Sequence, residues 1–289
     1  MTAQQMSSFA SHDTGTLYLV PTPIGNLDDM TFRAVKTLKT VDLIAAEDTR
    51  NTQKLLNHFE IETKQISFHE HNTQARIPEL LARLEQGESI AQVSDAGMPS
   101  ISDPGKELVK AAIEAGIPVV PLPGANAALT ALIASGIEPQ PFMFYGFLPR
   151  KASEQKAALT ALAEEPQAVI FYESPYRVAK TLTTIRDIFG ERQAVLAREL
   201  TKKFEEFIRG SLSELIDYAS AGARGEFVII VAPGEKKAKA PSDVPVATQV
   251  QTRIDAGARP NDAIKAVAKE NGLKRQQVYN AFHGIQEES

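Results

Sequence analysis

The chain has 289 residues, 43% of them hydrophobic and 23% charged, enough length for two ordinary domains and enough apolar side chains for real cores. Its net charge of −5 excludes general electrostatic adhesion to nucleic acid and leaves any such contact to local patches. It contains no cysteine, which excludes disulfides, thiolate metal sites and cysteine nucleophiles and fits a cytoplasmic location.

Residues 1–13 are polar, lack the basic-then-apolar order of a signal peptide, and read as a disordered tail. No apolar run reaches the length of a membrane span. From Gly15 the pattern alternates. Residues 15–20 read as a strand followed by a Pro/Gly loop, and 31–38 as a helix with Phe32, Val35 and Leu38 on one face. A strand at 41–46, a helix at 52–59, a short strand at 64–69 and a helix at 72–86 stopped by Gly87 come next. Then follow a strand at 90–93, a helix from Lys106 and a strand at 118–122. This alternation over residues 14–122 predicts a mainly parallel sheet covered on both faces.

A helix opening at 123 leads into a second α/β domain, residues 123–234. Its strands are predicted at 142–148, 168–172, 194–198, 204–208 and 226–231, with helices near 153–163 and 176–189 and a mixed or antiparallel sheet. Residues 235–246, rich in Lys, Ala and Pro, read as a linker, and 247–289 as a helical domain. In it a helix at 262–270, a glycine turn and a helix at 274–282 resemble a helix-turn-helix, with Lys274 and Arg275 opening the second helix. A nucleic-acid role and a purely structural helical cap both stay open for this piece.

The most informative loop is Val93-Ser-Asp-Ala-Gly-Met-Pro-Ser-Ile-Ser-Asp-Pro-Gly105. It follows a buried-looking strand, and in open α/β sheets ligands bind just beyond the carboxyl ends of strands. The loop offers glycine turns stiffened by proline and two aspartates, but no lysine. That argues against a phosphate cradle and for a ligand with a cationic or hydroxyl-rich part. Asp95, read here as a buried carboxylate, must meet a donor or a cation. It either binds the ligand or caps its own loop.

Eight motifs lie in order: Val20-Pro-Thr-Pro-Ile-Gly-Asn26, Ala46-Glu-Asp-Thr-Arg50, His69-Glu-His-Asn72, Val93-Ser-Asp-Ala-Gly97, Ser102-Asp-Pro-Gly105, Leu122-Pro-Gly124, Phe171-Tyr-Glu-Ser174 and Arg198-Glu-Leu-Thr-Lys202. Together they closely resemble the tetrapyrrole methylase superfamily of S-adenosylmethionine enzymes. Within it they are similar to the branch that methylates the ribose 2′-hydroxyl of a cytidine in the decoding region of 16S rRNA. The resemblance runs from about Gly15 to Val231 and extends to the helical tail. It implies two α/β domains with the cofactor S-adenosyl-L-methionine between them, a homodimer, and 16S rRNA in the small ribosomal subunit as partner. Fittingly, no Gly-x-Gly-x-x-Gly follows the first strand.

Carried over residue by residue, the resemblance puts Ile24, Gly25, Ser94, Asp95, Ala96, Gly97, Met98, Asn126 and Ala127 against the cofactor. It puts Tyr172, Glu173, Leu200 and Phe227 on its adenine side. Met98 stands where the family often has threonine, and Met30 replaces a common isoleucine, a mild core swap. Asn126 reads equally as a helix N-cap. Asn26 would face the methyl acceptor.

Glu47, Asp48 and Arg50 follow an apolar strand and read either as an acid–base cluster for the acceptor hydroxyl or as an ion-pair knot that fixes a loop. His69 and His71 alternate, but no further ligands complete a zinc set, so no metal is expected. Arg150, Lys151, Lys202 and Lys203 are solvated charges by default and phosphate contacts if RNA crosses the trough. Two rival readings remain: a methyltransferase for a tetrapyrrole, and a non-catalytic RNA-binding assembly factor.

Overall fold

A computed structural model describes residues 4–8, 10–234 and 244–285. Residues 1–3 and 9 of the expected tail, 235–243 of the expected linker and the last four residues lie outside the described residues. The chain divides into two compact units, Met1–Pro233 and Gly234–Ser289.

In the first unit, β1 (Leu17–Leu19), β2 (Leu43–Ala46), β3 (Gln65–Ser67), β4 (Ile90–Val93) and β5 (Val119–Pro121) form one sheet in the order β3-β2-β4-β1-β5, parallel throughout. Every residue of β2 and β4 is buried, as strands covered on both faces must be. Two apolar clusters lie on its faces, one around Leu38, Ile44 and Leu56 and one around Leu17, Leu80 and Leu108. The helices α1 (Phe32–Thr40), α2 (Thr49–His58), α3 (Thr73–Glu85) and α4 (Lys106–Glu114) supply them.

The second lobe of this unit opens with α5 (Ala127–Ser135), whose N-cap Asn126 accepts the Leu129 amide at 2.9 Å. Then come β6 (Phe142–Phe147), α6 (Ala152–Leu162), β7 (Ala168–Glu173), α7 (Val178–Phe189), β8 (Gln193–Arg198), β9 (Glu206–Ser211), α8 (Leu212–Ser220) and β10 (Phe227–Val231). The sheet order is β6-β7-β10-β8-β9. The β6–β7 pair is parallel and the other pairs are antiparallel. Central β10 is wholly buried. α5 covers one face and α6, α7 and α8 the other.

The structure corrects several expectations. Phe32 opens α1 and is 97% exposed; Ala34 and Leu38 form the buried side instead. At 100° per residue, six residues carry Phe32 about 120° round from Leu38. The strand expected at 204–208 runs from Glu206 to Ser211, because Phe204 lies in the preceding turn, 64% exposed. α8 went unexpected, although Ser211 and Glu214 spell a capping box: the Glu214 amide donates to Ser211 Oγ at 3.3 Å and the Ser211 amide to Glu214 Oε2 at 2.8 Å. α2 starts three residues before the expected Thr52, since Asp48 caps it.

The second unit packs α9 (Val246–Asp255), α10 (Pro260–Asn271) and α11 (Arg275–His283) around Val250, Ile264, Val267 and Val278. α9 begins inside the stretch expected to be linker, at Val246. Gly272, at φ 65°, stops α10 in the left-handed conformation that suits glycine. Among the described residues no helix is long and apolar enough to cross a membrane.

Candidate active site

The carboxyl ends of β1, β2, β4 and β5 carry the loops that face the second sheet, and a cavity of about 470 Å³ lies between them. Small residues and hydrogen bonds shape the first-lobe side. Thr22 and Gly97 exchange backbone hydrogen bonds at 3.0 Å in both directions. The Thr22 hydroxyl donates to Ser94 O at 3.0 Å, and buried Ser94 donates through Oγ to Gly97 O at 3.1 Å. Gly97 sits at φ 77°, and a Cβ there would lie 3.3 Å from Ile24 Cγ2. Further along, buried Gln92 donates through Nε2 to Pro104 O at 2.9 Å and Ser100 Oγ at 3.2 Å, pinning the end of the loop.

Three carboxylates, Glu47, Asp95 and Asp103, line this side. Asp95 is exposed, contrary to the expectation that it is buried, because it stands on the loop crest past β4. Its Oδ1 accepts the Asp48 amide at 3.1 Å and its Oδ2 accepts Asn51 Nδ2 at 3.0 Å. Its own amide donates to Glu47 Oε2 at 3.3 Å. Burial, and then the charge of Asp103, pushes the Glu47 carboxyl above the usual range. Burial, and then the charge of Asp95, does the same to Asp103.

Asp48 and Arg50 do not line the cavity. Arg50 Nη2 lies 2.6 Å from Asp48 Oδ2, and these hydrogen bonds hold Asp48 far below the ordinary carboxylate range. Here the ion-pair knot is what forms, while Glu47 stands apart from it. Asn26 also lies off the cavity lining; its Oδ1 accepts the Asp28 amide at 3.1 Å and caps a short 3₁₀ turn, Leu27–Asp29.

The second sheet gives the opposite wall an apolar shelf of Phe147, Tyr172, Ala197, Leu200 and Val228; Phe227 also lines the cavity, at the start of β10, with its ring in the cluster on the sheet's other face. The Tyr172 hydroxyl accepts the Ala128 amide at 3.1 Å, tying the shelf to the start of α5. Burial raises its pKa. Leu200 is held between two residues with left-handed backbone, Glu199 at φ 50° and Thr201 at φ 66°, a strain of the kind concentrated at ligand sites. Glu173 lines the cavity, but the residue is buried and its carboxylate is engaged. It accepts Ser174 N at 2.8 Å and Thr181 Oγ1 at 2.7 Å, with Arg177 Nε at 3.7 Å.

Among the other expected cofactor positions, Ile24, Ala96, Gly97, Met98, Asn126 and Ala127 line the cavity. Gly25 and Ser94 line a smaller neighbouring one. Lys202, expected at RNA phosphates, is a wall residue: its Nζ lies 3.0 Å from Glu199 and 2.8 Å from Glu226. Its stem crosses Gly25, where a Cβ would come within 2.4 Å of Lys202 Cγ. Arg150 and Lys203 are exposed, and Lys151 pairs with Glu154 at 3.0 Å. Lys274 and Arg275 begin α11, with Arg275 donating to Asn261 Oδ1 at 3.2 Å.

Sequence reasoning did not assign Asp103 or Phe147 to the site. The Ser102-Asp-Pro-Gly105 motif carried the signal for the first; Phe147, ending an edge strand, carried none. Among the described residues no group of three His, Cys, Asp or Glu side chains could hold a metal ion.

This two-lobed α/β fold with a cavity between its lobes has known relatives. Residues 16–216 match the family described as Tetrapyrrole (Corrin/Porphyrin) Methylases. Ribosomal RNA small subunit methyltransferase I of Streptococcus pyogenes serotype M3 (strain ATCC BAA-595 / MGAS315) is 57% identical, over 98% of this chain and 100% of that one. The protein of the same name from Bacillus subtilis (strain 168) is 50% identical over 98% and 99%. In fold, the chain is similar to uroporphyrin-III C-methyl transferase from Thermus thermophilus complexed with S-adenyl homocysteine. The TM-score is 0.54 at 16% identity, over 75% of this chain and 97% of that one. The chain belongs to the tetrapyrrole methylase family, in the branch that holds the two bacterial relatives.

Proposed function

We propose that the chain is an S-adenosylmethionine-dependent methyltransferase that modifies the ribose 2′-hydroxyl of a cytidine in the decoding region of 16S rRNA. It acts on the small ribosomal subunit, as a homodimer in the cytoplasm. One observation carries the reading: a carboxylate-lined wall faces an apolar shelf across a cavity of about 470 Å³. The names of the 50–57% identical relatives support the substrate.

The residues present fit the cofactor. The volume lies within the roughly 300–1,000 Å³ common for small-molecule sites. The shelf of Tyr172, Leu200 and Val228 suits a flat adenine, with Glu173 and Phe227 behind it. Asp95, Ala96, Gly97 and Met98 suit a charged, hydroxyl-bearing part, and Gly97 keeps open a space that a Cβ would narrow. Ile24, Asn126 and Ala127 close the remaining side, while Gly25 and Ser94 shape the loops behind it.

When bound, S-adenosylmethionine supplies an electrophilic methyl carbon. The rest falls to the chain. A ribose hydroxyl attacks poorly while it keeps its proton, so a base must stand at the cavity wall. Glu47 fits that role: it lines the cavity, and its raised pKa makes its carboxylate a better proton acceptor than an ordinary glutamate. Asp48, neutralised by Arg50, fixes the loop that presents Glu47. Asn26 orients the acceptor from the neighbouring turn. Arg150, Lys151, Lys203, Lys274 and Arg275 neutralise RNA phosphates, while Lys202 is held by Glu199 and Glu226.

The test incubates the chain with labelled S-adenosylmethionine and small subunits from cells lacking this gene, with uroporphyrinogen as a parallel acceptor. The expected result is label on one cytidine 2′-oxygen. Label on the porphyrinogen, or cofactor binding without any transfer, overturns the reading.

A further inference from the structure

Beside the large cavity lies a second, of about 180 Å³, between the β1 loop and the start of α2. Its lining includes Thr22, Asn51, Thr52, Lys54, Leu55 and Asp95. Asp95 belongs to both linings, so the two cavities share a wall. Glu47 stands on that wall, its Oε2 accepting the Asp95 amide.

The second cavity is polar in a specific way. Thr52 is 4% exposed, yet its hydroxyl bonds no protein group among the described residues and the residue faces this space. That hydroxyl keeps access to the cavity, and a ligand seated there can give it the partner that the protein does not. Asn51 gives its amide nitrogen to Asp95, which leaves its amide oxygen as an acceptor. Lys54 is exposed and forms no ion pair among the described residues. Leu55 adds an apolar surface for a ring. The volume falls well below the roughly 300–1,000 Å³ of drug-sized sites, so the space holds one small ring system and excludes a macrocycle.

We propose that this second cavity receives the pyrimidine ring of the acceptor nucleotide, with Asn51 and Thr52 bonding its edge and Lys54 pairing with the adjacent phosphate. The inference rests on the RNA-methylation reading above. Bases in single-stranded RNA are read in this way, splayed out of the stack and bonded along their edges. An acceptor oxygen at Asn51 suits the exocyclic amine of cytosine. With the ring so seated, the ribose lies on the Asp95–Glu47 wall, where the base and the donor cavity meet.

Two measurements test this on the full chain. In saturation-transfer NMR, cytidine 5′-monophosphate takes up signal from the wild-type protein and loses it in T52L, whose larger side chain fills the cavity. K54A, a surface change that keeps the fold, weakens the nucleotide by about threefold and lowers the salt dependence of subunit binding by about one phosphate. In steady-state assays T52L raises KM for small subunits by at least about tenfold while donor affinity stays unchanged. Undiminished nucleotide signal in T52L, or unaltered affinity in K54A, overturns the assignment. Nucleotide binding that T52L abolishes, in a chain that methylates no RNA, keeps the subsite and overturns the activity. Full-rate RNA methylation by T52L does the reverse.

Discussion

The two lobes of the first unit make opposite contributions to one cavity. The first sheet is parallel throughout, so all its strands end on the same edge and their loops converge there with Glu47, Asp95 and Asp103. The second sheet is mostly antiparallel and offers a face, on which Tyr172, Ala197 and Val228 stand, with Leu200 in the turn beyond β8. Parallel topology concentrates loops and hence charge; antiparallel topology presents side chains in rows and hence an apolar surface. Loss of the Glu47 carboxylate should therefore stop the chemistry, and loss of the second-lobe shelf should weaken donor binding.

The sharpest way to break that division is Glu47→Gln. Single-turnover methyl transfer should fall by about 10²- to 10⁴-fold with donor affinity kept, since a general base contributes on that scale. The wild-type rate should fall as pH drops through the raised pKa of Glu47, because the protonated acid cannot accept a proton; the variant profile should lose that limb. The stability effect has the opposite direction. Glu47 and Asp103 hold protons more readily folded than unfolded, so the folded state loses stability as pH rises from the ordinary carboxylate range through their raised values.

Leu200→Ala tests the other lobe. Its donor dissociation constant, read by isothermal titration, should rise about tenfold, while turnover at saturating donor stays near wild type. The smallest effect belongs to Tyr172→Phe, which removes the acceptor of the Ala128 amide. Urea unfolding should show a loss of about 1–3 kcal/mol, with the rate of methyl transfer little altered. Equal losses of rate and affinity in all three variants would erase the division between the lobes.

The parallel sheet was legible because strands buried on both faces read as unbroken apolar runs, as Leu43–Ala46 does. The edge of the second sheet was less so. β9 keeps all six of its residues partly or fully exposed, and its pattern carries little to mark where it begins. In the site, most positions follow from lying past strand ends. Gly25 and Ser94 escaped because chain neighbours turn to opposite sides of a loop, placing Ile24 and Asp95 on the large cavity and their neighbours behind it. Lys202 misled for another reason: a cation invites a phosphate in the linear chain, but folding brings it Glu199 and, from a distant strand end, Glu226.

The passage of the Lys202 stem over Gly25 ties the fates of two positions that lie 177 residues apart. A methyl group introduced at 25 would run into that stem and shove the ammonium off its two glutamates, and the backbone there, at φ 158°, resists a side chain even with a shorter residue at 202. The contact rivets the loop after β1 to the turn after β8, one lobe to the other, beside the large cavity.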